Sequence, residues 1–197
     1  NHYHYAWHLW LFDSLDKAIE EHKIAQDLDP LDPLHSAWLA WLYVEADELE
    51  QAKREALRAL RIEENPVGYF NLGRVYMELE QFDSATLTYS KAGPLSPNGL
   101  GMNYFRSGQI DKGMEIIQKL KQQPVNSWLA FVLATLYAEV DSLDQYFHYI
   151  NFEPTHAFVP WTRQDNRNHK VVNDPRFKQL MDKMNLPMPV VQQEQQF

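Results

Sequence analysis

A four-residue phrase returns five times along the chain, and its spacing constrains the fold more than any other feature. The phrase consists of an apolar residue, an acid, any residue and then a small residue, with some variation at the last place. The five copies begin at Leu15, Leu49, Phe82, Ile110 and Leu143. Successive starts are 34, 33, 28 and 33 residues apart. A period near 34 residues indicates an array of helical hairpins that bury their apolar faces against one another.

Aligning the chain on this phrase brings other positions into register. A small residue stands nine places before each start: Ala6, Ala40, Gly73, Gly101 and Ala134. A large residue, aromatic in four of the five, stands six places before: Leu9, Tyr43, Tyr76, Tyr104 and Tyr137. Both positions lie on one face of a first helix, where a small side chain lets the second helix approach closely. The acid of the phrase lies in the first turn of the second helix, at the positive end of its dipole.

Two of the five units depart from the pattern. The fourth is about six residues short, and Pro94, Pro97 and Gly99 crowd its first helix. We therefore expect that helix to begin near Leu100 and to run for barely two turns. The fifth unit is degenerate, since Tyr146 stands where a small residue belongs.

This pattern resembles the tetratricopeptide repeat. The third unit matches best, and its consensus residues are Tyr69, Leu72, Gly73, Tyr76, Ala85, Tyr89, Ala92 and Pro97. The resemblance covers residues 1–153 as five hairpins. It implies an all-α fold, a right-handed superhelical array of helix-turn-helix repeats.

Beyond residue 153 the period disappears, and a short amphipathic helix is expected instead. Asp174 suits the N-cap and Pro175 the first helical position. An apolar stripe follows at helical spacing: Phe177, Leu180, Met181 and Met184. We interpret residues 154–187 as a loop and capping helix, because solenoid ends need a cap with a polar outer face. Residues 188–197 are predicted to be a flexible tail.

The two ends of the chain resemble a narrower group. The run from His8 to Pro33 and the segment from Asn173 to Pro187 look like the C-terminal repeat regions of bacterial multi-domain regulators. In that group the preceding part is a cyclase, a protein kinase or a winged-helix domain. The resemblance implies a scaffold or sensory role in signalling. Since the chain lacks a starting Met, we expect it to be a piece of a longer protein.

The composition excludes several classes of function. The net charge is −9, which disfavours direct nucleic-acid binding and is easier to match with a basic peptide. There is no cysteine, so disulfides, thiolate metal sites and cysteine nucleophiles are excluded. No apolar run is long enough to span a bilayer. We expect a cytoplasmic location, or a periplasmic one if a membrane span precedes this segment.

A binding surface is suggested by the aromatic residues of the first helices. The family resemblance implies that these helices line a concave groove, and four of the six tryptophans fall in its register in the first two units. The candidate peptide-binding residues are Tyr3, Trp7, Trp38, Trp41, Phe70, Asn71 and Arg74. Aromatic residues with Arg and Asn beside them are typical of interface hot spots.

The leading hypothesis is therefore a non-enzymatic domain that binds a protein or peptide through this groove. Four alternatives stay open. The rings could pack structurally, between neighbouring first helices or against a missing N-terminal helix. They could also form a dimer interface, pack against an upstream effector domain, or line a small-molecule pocket.

Metal binding and catalysis have little support in the sequence. His4 and His8 have the i, i+4 spacing of zinc ligands, but a third firm ligand is not evident. His156 and His169 flank a loop with Asp165, without a nucleophile or glycine-rich phosphate loop nearby. We predict no metal, no cofactor and no enzymatic activity.

Overall fold

The computed structural model describes residues 2–164 and 169–189, and over these ranges the chain is helical without β-strands. The helices are α1 (His2–Leu11), α2 (Leu15–Leu28), α3 (Pro33–Glu45), α4 (Leu49–Ile62), α5 (Pro66–Glu78), α6 (Phe82–Tyr89), α7 (Ser96–Arg106), α8 (Ile110–Lys121), α9 (Ser127–Glu139), α10 (Leu143–Ile150), α11 (His169–Asn173) and α12 (Pro175–Met184). Short 3-10 segments lie at Gly93–Leu95 and Val159–Gln164. The predicted all-α repeat fold is confirmed, and each of the five phrases begins a second helix.

The same turn joins the two helices of every hairpin. Two residues before each second helix the backbone is left-handed, with φ between 55° and 75°, at Asp13, Asp47, Glu80, Gly108 and Asp141. The next N–H donates to a carbonyl five residues earlier, at 2.8–3.0 Å, and the acceptors are Leu9, Tyr43, Tyr76, Tyr104 and Tyr137. This is the hydrogen bond that closes a Schellman turn at a helix C-terminus. The large residue of the sequence register therefore also marks where each first helix ends.

The chain divides into two compact units between Ile116 and Ile117. In the N-terminal unit, α2 packs on α3, α4 packs on α5 and α6 packs on α7, so each hairpin contacts the next. The small residues of the register make this possible, since Ala40 and Ala56 are fully buried against Leu72. The first helices also contact each other, α3 with α5 and α5 with α7.

The expectation that α7 begins near Leu100 was wrong. The helix begins at Ser96 and runs for 11 residues. Pro97 is tolerated because it lies in the first turn, where its missing N–H has no helical partner to lose. Gly99 is required by packing instead, because a Cβ atom there would lie 2.1 Å from Cδ1 of the buried Tyr89 ring. The residues that resemble helix breakers therefore have separate roles in a complete helix.

In the C-terminal unit, α12 packs its apolar stripe into a core shared with α9 and α10. Phe177, Leu180 and Met181 are buried there with Tyr146 and Phe147. The bulky residue in the degenerate fifth hairpin thus fills space that the C-terminal segment encloses.

Both ends of α12 carry recognisable caps. The Asp174 carboxylate accepts from the N–H of Arg176 at 2.9 Å, and Pro175 is the first helical residue, as the sequence predicts. Asn185 ends the helix in a left-handed conformation. The domain limits of 1–153 and 154–187 stay predictions. In the predicted tail, residues 190–197 lie outside the described residues.

Candidate functional site

Aromatic side chains from α1, α3 and α5 form one continuous series of ring contacts. The ring centroids of Trp7 and Trp38 are 5.0 Å apart, and those of Trp38 and Trp41 are 6.0 Å apart. Trp41 is stacked on Phe70 at 6.3 Å with an interplanar angle of 13°. We call these four residues the aromatic row. Tyr3 extends it, with its ring 6.3 Å from Trp7.

The seven residues chosen from the sequence are brought together but differ in exposure. Tyr3, Trp7, Trp38 and Trp41 are partly exposed side chains. The other three, on α5, are buried: Phe70, Asn71 and Arg74. The first group can contact a partner directly, whereas the second forms its support.

Arg74 is bound within the protein. Its guanidinium Cζ atom lies 4.0 Å from the centroid of the Trp41 ring, and its Nη2 atom donates to Oε1 of Glu45 at 2.6 Å. Its side chain is only 1% exposed. An ion pair also joins the next two first helices, Arg106 of α7 to Glu78 of α5 at 2.9 Å. Arg74 thus links α5 to α3, and the Glu45 carboxylate largely compensates its charge before any partner binds.

Asn71 makes a second link between these helices. Its Nδ2 atom donates to the backbone carbonyl of Ala37 at 2.7 Å. Its Oδ1 atom is buried and has no hydrogen-bond partner among the described residues. Such unpaired buried polar atoms are rare in native proteins. Because the amide is buried and donates to the α3 carbonyl, it is held within the fold and does not lie at the surface.

A buried histidine lies beside the first part of the row, and sequence reasoning missed it. His22 of α2 has no solvent exposure, and its ring lies 5.3 Å from Tyr3, 6.1 Å from Trp7 and 6.1 Å from His35. Neither ring nitrogen has a hydrogen-bond partner in the described part of the chain. Its helical position could have indicated its burial, because His22 lies in the buried stripe of α2 with Ala18, Ile19, Ala25 and Gln26.

Burial and the nearby His35 lower the pKa of His22 to about 4. The ring is therefore neutral at physiological pH. Burial, with a smaller contribution from Asp32, raises the pKa of Tyr3, so its phenol keeps its proton.

The other candidate groups do not assemble into a reactive site. Among residues 2–164 and 169–189, no three His, Asp or Glu side chains are placed to hold a metal ion. His4 and His8 are exposed on α1. Asp165, one member of the suggested acid–base group, lies outside the described residues. In the part of the chain that the structure describes, no helix is long and apolar enough to cross a bilayer.

Comparison with known proteins assigns the repeat. Residues 68–92, from α5 to the end of the third hairpin, match the family model for the tetratricopeptide repeat. Residues 68–92 therefore carry a tetratricopeptide repeat. The match falls on the unit that the sequence register singled out. No curated protein matches the chain.

Two solved structures with this repeat are similar to the chain. One is YrrB, described as a TPR protein with an unusual peptide-binding site; it is 21% identical, with 83% of this chain and 90% of that chain covered and a TM-score of 0.47. The other is a tetratricopeptide repeat protein from Parabacteroides merdae ATCC 43184, 16% identical, with coverage of 93% and 77% and a TM-score of 0.49.

Tetratricopeptide repeats serve as scaffolds for protein–protein interaction, bind protein or peptide partners, and are generally non-enzymatic. The aromatic row lies on the first helices of three successive hairpins, and the matched residues 68–92 belong to the third of them.

Proposed function

We propose that this domain is a non-enzymatic interaction module that binds a peptide, or an extended segment of a protein, along the aromatic row. One observation carries the proposal. Partly exposed aromatic rings run without interruption across α1 and α3 and continue into the buried Phe70 of α5.

The physical basis is pre-organisation. Tryptophan and tyrosine offer large contact areas with few rotatable bonds, so fixing them costs little conformational entropy. Rings in the row already restrain each other at centroid distances of 5.0–6.3 Å. A partner therefore meets a surface that is ordered before binding, which reduces the entropic cost of association.

The seven candidate residues divide into two roles. Tyr3, Trp7, Trp38 and Trp41 contact the partner. Phe70, Asn71 and Arg74 hold the row from below: the phenyl ring stacks on Trp41, the amide binds the α3 carbonyl and the guanidinium packs on the Trp41 ring.

The test uses a random nine-residue peptide library displayed on phage and selected against the protein. We expect a recurring peptide motif whose affinity falls at least about tenfold in Trp38→Ala, since a central aromatic residue typically contributes more than about 1.4 kcal/mol. Trp128→Ala is the matched control, because this partly exposed tryptophan lies on α9 of the C-terminal unit. Circular dichroism must show that both variants keep their helix content. If both bind every selected peptide as the wild type does, the proposed surface is wrong.

A second candidate, self-association or docking of an upstream effector domain, is favoured by two exposed rings, one on α1 and one directly after it. Tyr5 is 51% exposed and Phe12 is 42% exposed. Exposed aromatic residues of this kind mark interfaces when they belong to a larger apolar patch. Light scattering at high concentration tests the first form, with a monomer counting against it. Burial of both rings in an N-terminally extended protein tests the second.

The wider setting is also part of the proposal. A role as the interaction region of a larger bacterial regulatory protein, located in the cytoplasm, rests on the resemblance of the two chain ends. The gene sequence upstream of the codon for Asn1 tests it directly, because a regulatory effector domain encoded there would support it.

A further inference from the structure

The negative charge of the chain is concentrated where the aromatic row begins. Residues 1–64 contain fourteen Asp and Glu against six Lys and Arg, which is −8 of the total of −9. The rest of the chain is almost neutral. Because the row starts on α1 and α3, its partly exposed tryptophans belong to this acidic part.

The positive charges of that part lie on the second helices. α1 and α3 contain no lysine or arginine. All six basic residues of 1–64 lie on α2 or α4: Lys17, Lys23, Lys53, Arg54, Arg58 and Arg61. Two of them are engaged with other rings, Lys23 over Tyr43 at 5.6 Å and Lys53 over Tyr76 at 5.3 Å. The two helices that present the partly exposed tryptophans therefore contribute no lysine or arginine of their own.

The row itself provides an example of what its indoles bind. Where α5 joins it, the Arg74 guanidinium lies 4.0 Å from the Trp41 ring centroid, with the Glu45 carboxylate neutralising it. Guanidinium and ammonium groups are attracted to the negative face of an aromatic ring, and tryptophan is the strongest ring partner. Trp38, on the same helix as Trp41, and Trp7, on α1, continue this aromatic surface in the acidic part of the chain.

The surroundings of Trp7 are compatible with a positive ligand. The buried imidazole beside it, His22, is neutral at physiological pH, so it does not oppose a cation. The Asp32 carboxylate lies 3.8 Å from the ring of His35, which in turn contacts Tyr3 at a centroid distance of 5.9 Å. Polarisable rings and an acidic surrounding are the two features that cation recognition requires.

We propose that Tyr3, Trp7 and Trp38 bind a cationic side chain, arginine or lysine, of the partner peptide. The inference rests on the proposed function and names the chemistry of its ligand. Charge complementarity with residues 1–64 brings the peptide to the surface, and the ring faces then hold its cation.

The experiment uses the peptides selected on the full chain. Each is resynthesised with its basic residues replaced by glutamine, which keeps a long polar side chain but removes the charge. We expect about tenfold or greater loss of affinity, and weaker binding of the parent peptide as the salt concentration rises. Isothermal titration calorimetry measures both.

Protein variants separate ring chemistry from simple apolar contact. Trp38→Leu keeps an apolar side chain but removes the ring face, whereas Trp38→Phe keeps a weaker ring. We expect the arginine peptide to bind Trp38→Phe more tightly than Trp38→Leu, and the glutamine peptide to show no such difference. Trp128→Leu, in the C-terminal unit, should leave both affinities unchanged.

The outcomes distinguish this inference from the proposed function. If selected peptides depend on Trp38 but bind equally well with glutamine, the cationic ligand is wrong and the peptide-binding function stands. Selection of acidic or wholly uncharged peptides leads to the same conclusion. If no selected peptide depends on Trp38, the proposed function fails and this inference fails with it.

Discussion

The first helices of both units carry aromatic residues, but these residues lie in different surroundings. In the C-terminal unit, Trp128 and Phe131 of α9 contact Phe158, which comes from the segment after the last hairpin, at ring distances of 5.1 and 5.7 Å. In the N-terminal unit, the partly exposed rings of Trp7 and Trp38 contact one another and other rings of the repeat helices, such as Trp10 and Trp41. The C-terminal unit thus shows that rings on a first helix can receive an aromatic side chain from a non-repeat segment.

The difference indicates what distinguishes a structural ring cluster from a candidate binding surface. The α9 cluster is completed within its own unit by Phe158, which also contacts Trp161 at 5.0 Å. The aromatic row is built from the repeat helices themselves, and Phe70 and Arg74 support it at its α5 end. Four predictions test this contrast, from the largest expected effect to the smallest.

The largest effect is expected at the supported end of the row. Arg74→Met should lower the free energy of unfolding by about 4 kcal/mol, because it leaves Glu45 without its buried partner. The matched control is Lys178→Met in the C-terminal unit, where the pair with Asp182 is exposed and little change is expected. Urea denaturation monitored by circular dichroism measures both. Equal effects in the two variants would contradict the buried role of Arg74.

The next prediction concerns the histidine beside the row. The folded-state pKa of His22, about 4, lies below the ordinary value of 6.5, so folding requires the ring to lose its proton. Its contribution is present above pH 6.5 and is lost as the pH falls towards 4, by about 3 kcal/mol in total.

Denaturation at several pH values measures this effect. His22→Leu should flatten the pH dependence between pH 6.5 and 4 relative to the wild type. His148→Leu, at an exposed position on α10, should leave it unchanged. If the wild type and His22→Leu keep the same slope, the histidine is not neutral in the fold.

A third prediction tests the completed cluster of the C-terminal unit. Phe158→Ala removes ring contacts to Trp128, Phe131 and Trp161 and should destabilise the protein by about 2 kcal/mol. Acrylamide quenching of a protein whose only tryptophan is Trp128 should also increase. Unchanged quenching would show that Phe158 does not shield this ring, and the contrast between the units would disappear.

The smallest effect concerns the turn, which the hairpins of both units share. Gly108→Ala should cost about 1 kcal/mol because of its left-handed backbone alone, since a Cβ atom there meets nothing within 4 Å. Asp47→Gly, at the equivalent turn, should change stability little, because the relief of its left-handed backbone is offset by greater freedom in the unfolded chain. Thermal unfolding of both variants gives the comparison.

Local rules explain which parts of the fold were accessible from the sequence. The starts of all five second helices follow from the phrase. Its acid marks the first turn, at the positive end of the helix dipole, and its apolar residue marks the buried face. Asp174 and Pro175 mark the start of α12 for the same reason, since a cap acts within one turn. The start of α7 was missed because Gly99 was interpreted as a local breaker, whereas its role is set by Tyr89 in another helix.

The candidate site was also only partly predictable from the sequence. The register placed seven residues on first helices, and the structure brings those residues together. Exposure could not be obtained from the register, because it depends on how closely neighbouring hairpins approach. Arg74 illustrates this, since its position suggested a group for a partner and the fold pairs it with Glu45.

The sequence by itself determined the repeat, its helices and the line of aromatic residues, because these depend on spacing along one chain. Only the tertiary structure decided which rings stay partly exposed, that Arg74 and His22 are buried, and that Phe158 completes the α9 cluster. Those properties arise from contacts between residues 19 or more positions apart in sequence, such as Tyr3 with His22 and Trp7 with Trp38. Burial and charge pairing belong to the packed array, and a single repeat does not specify them.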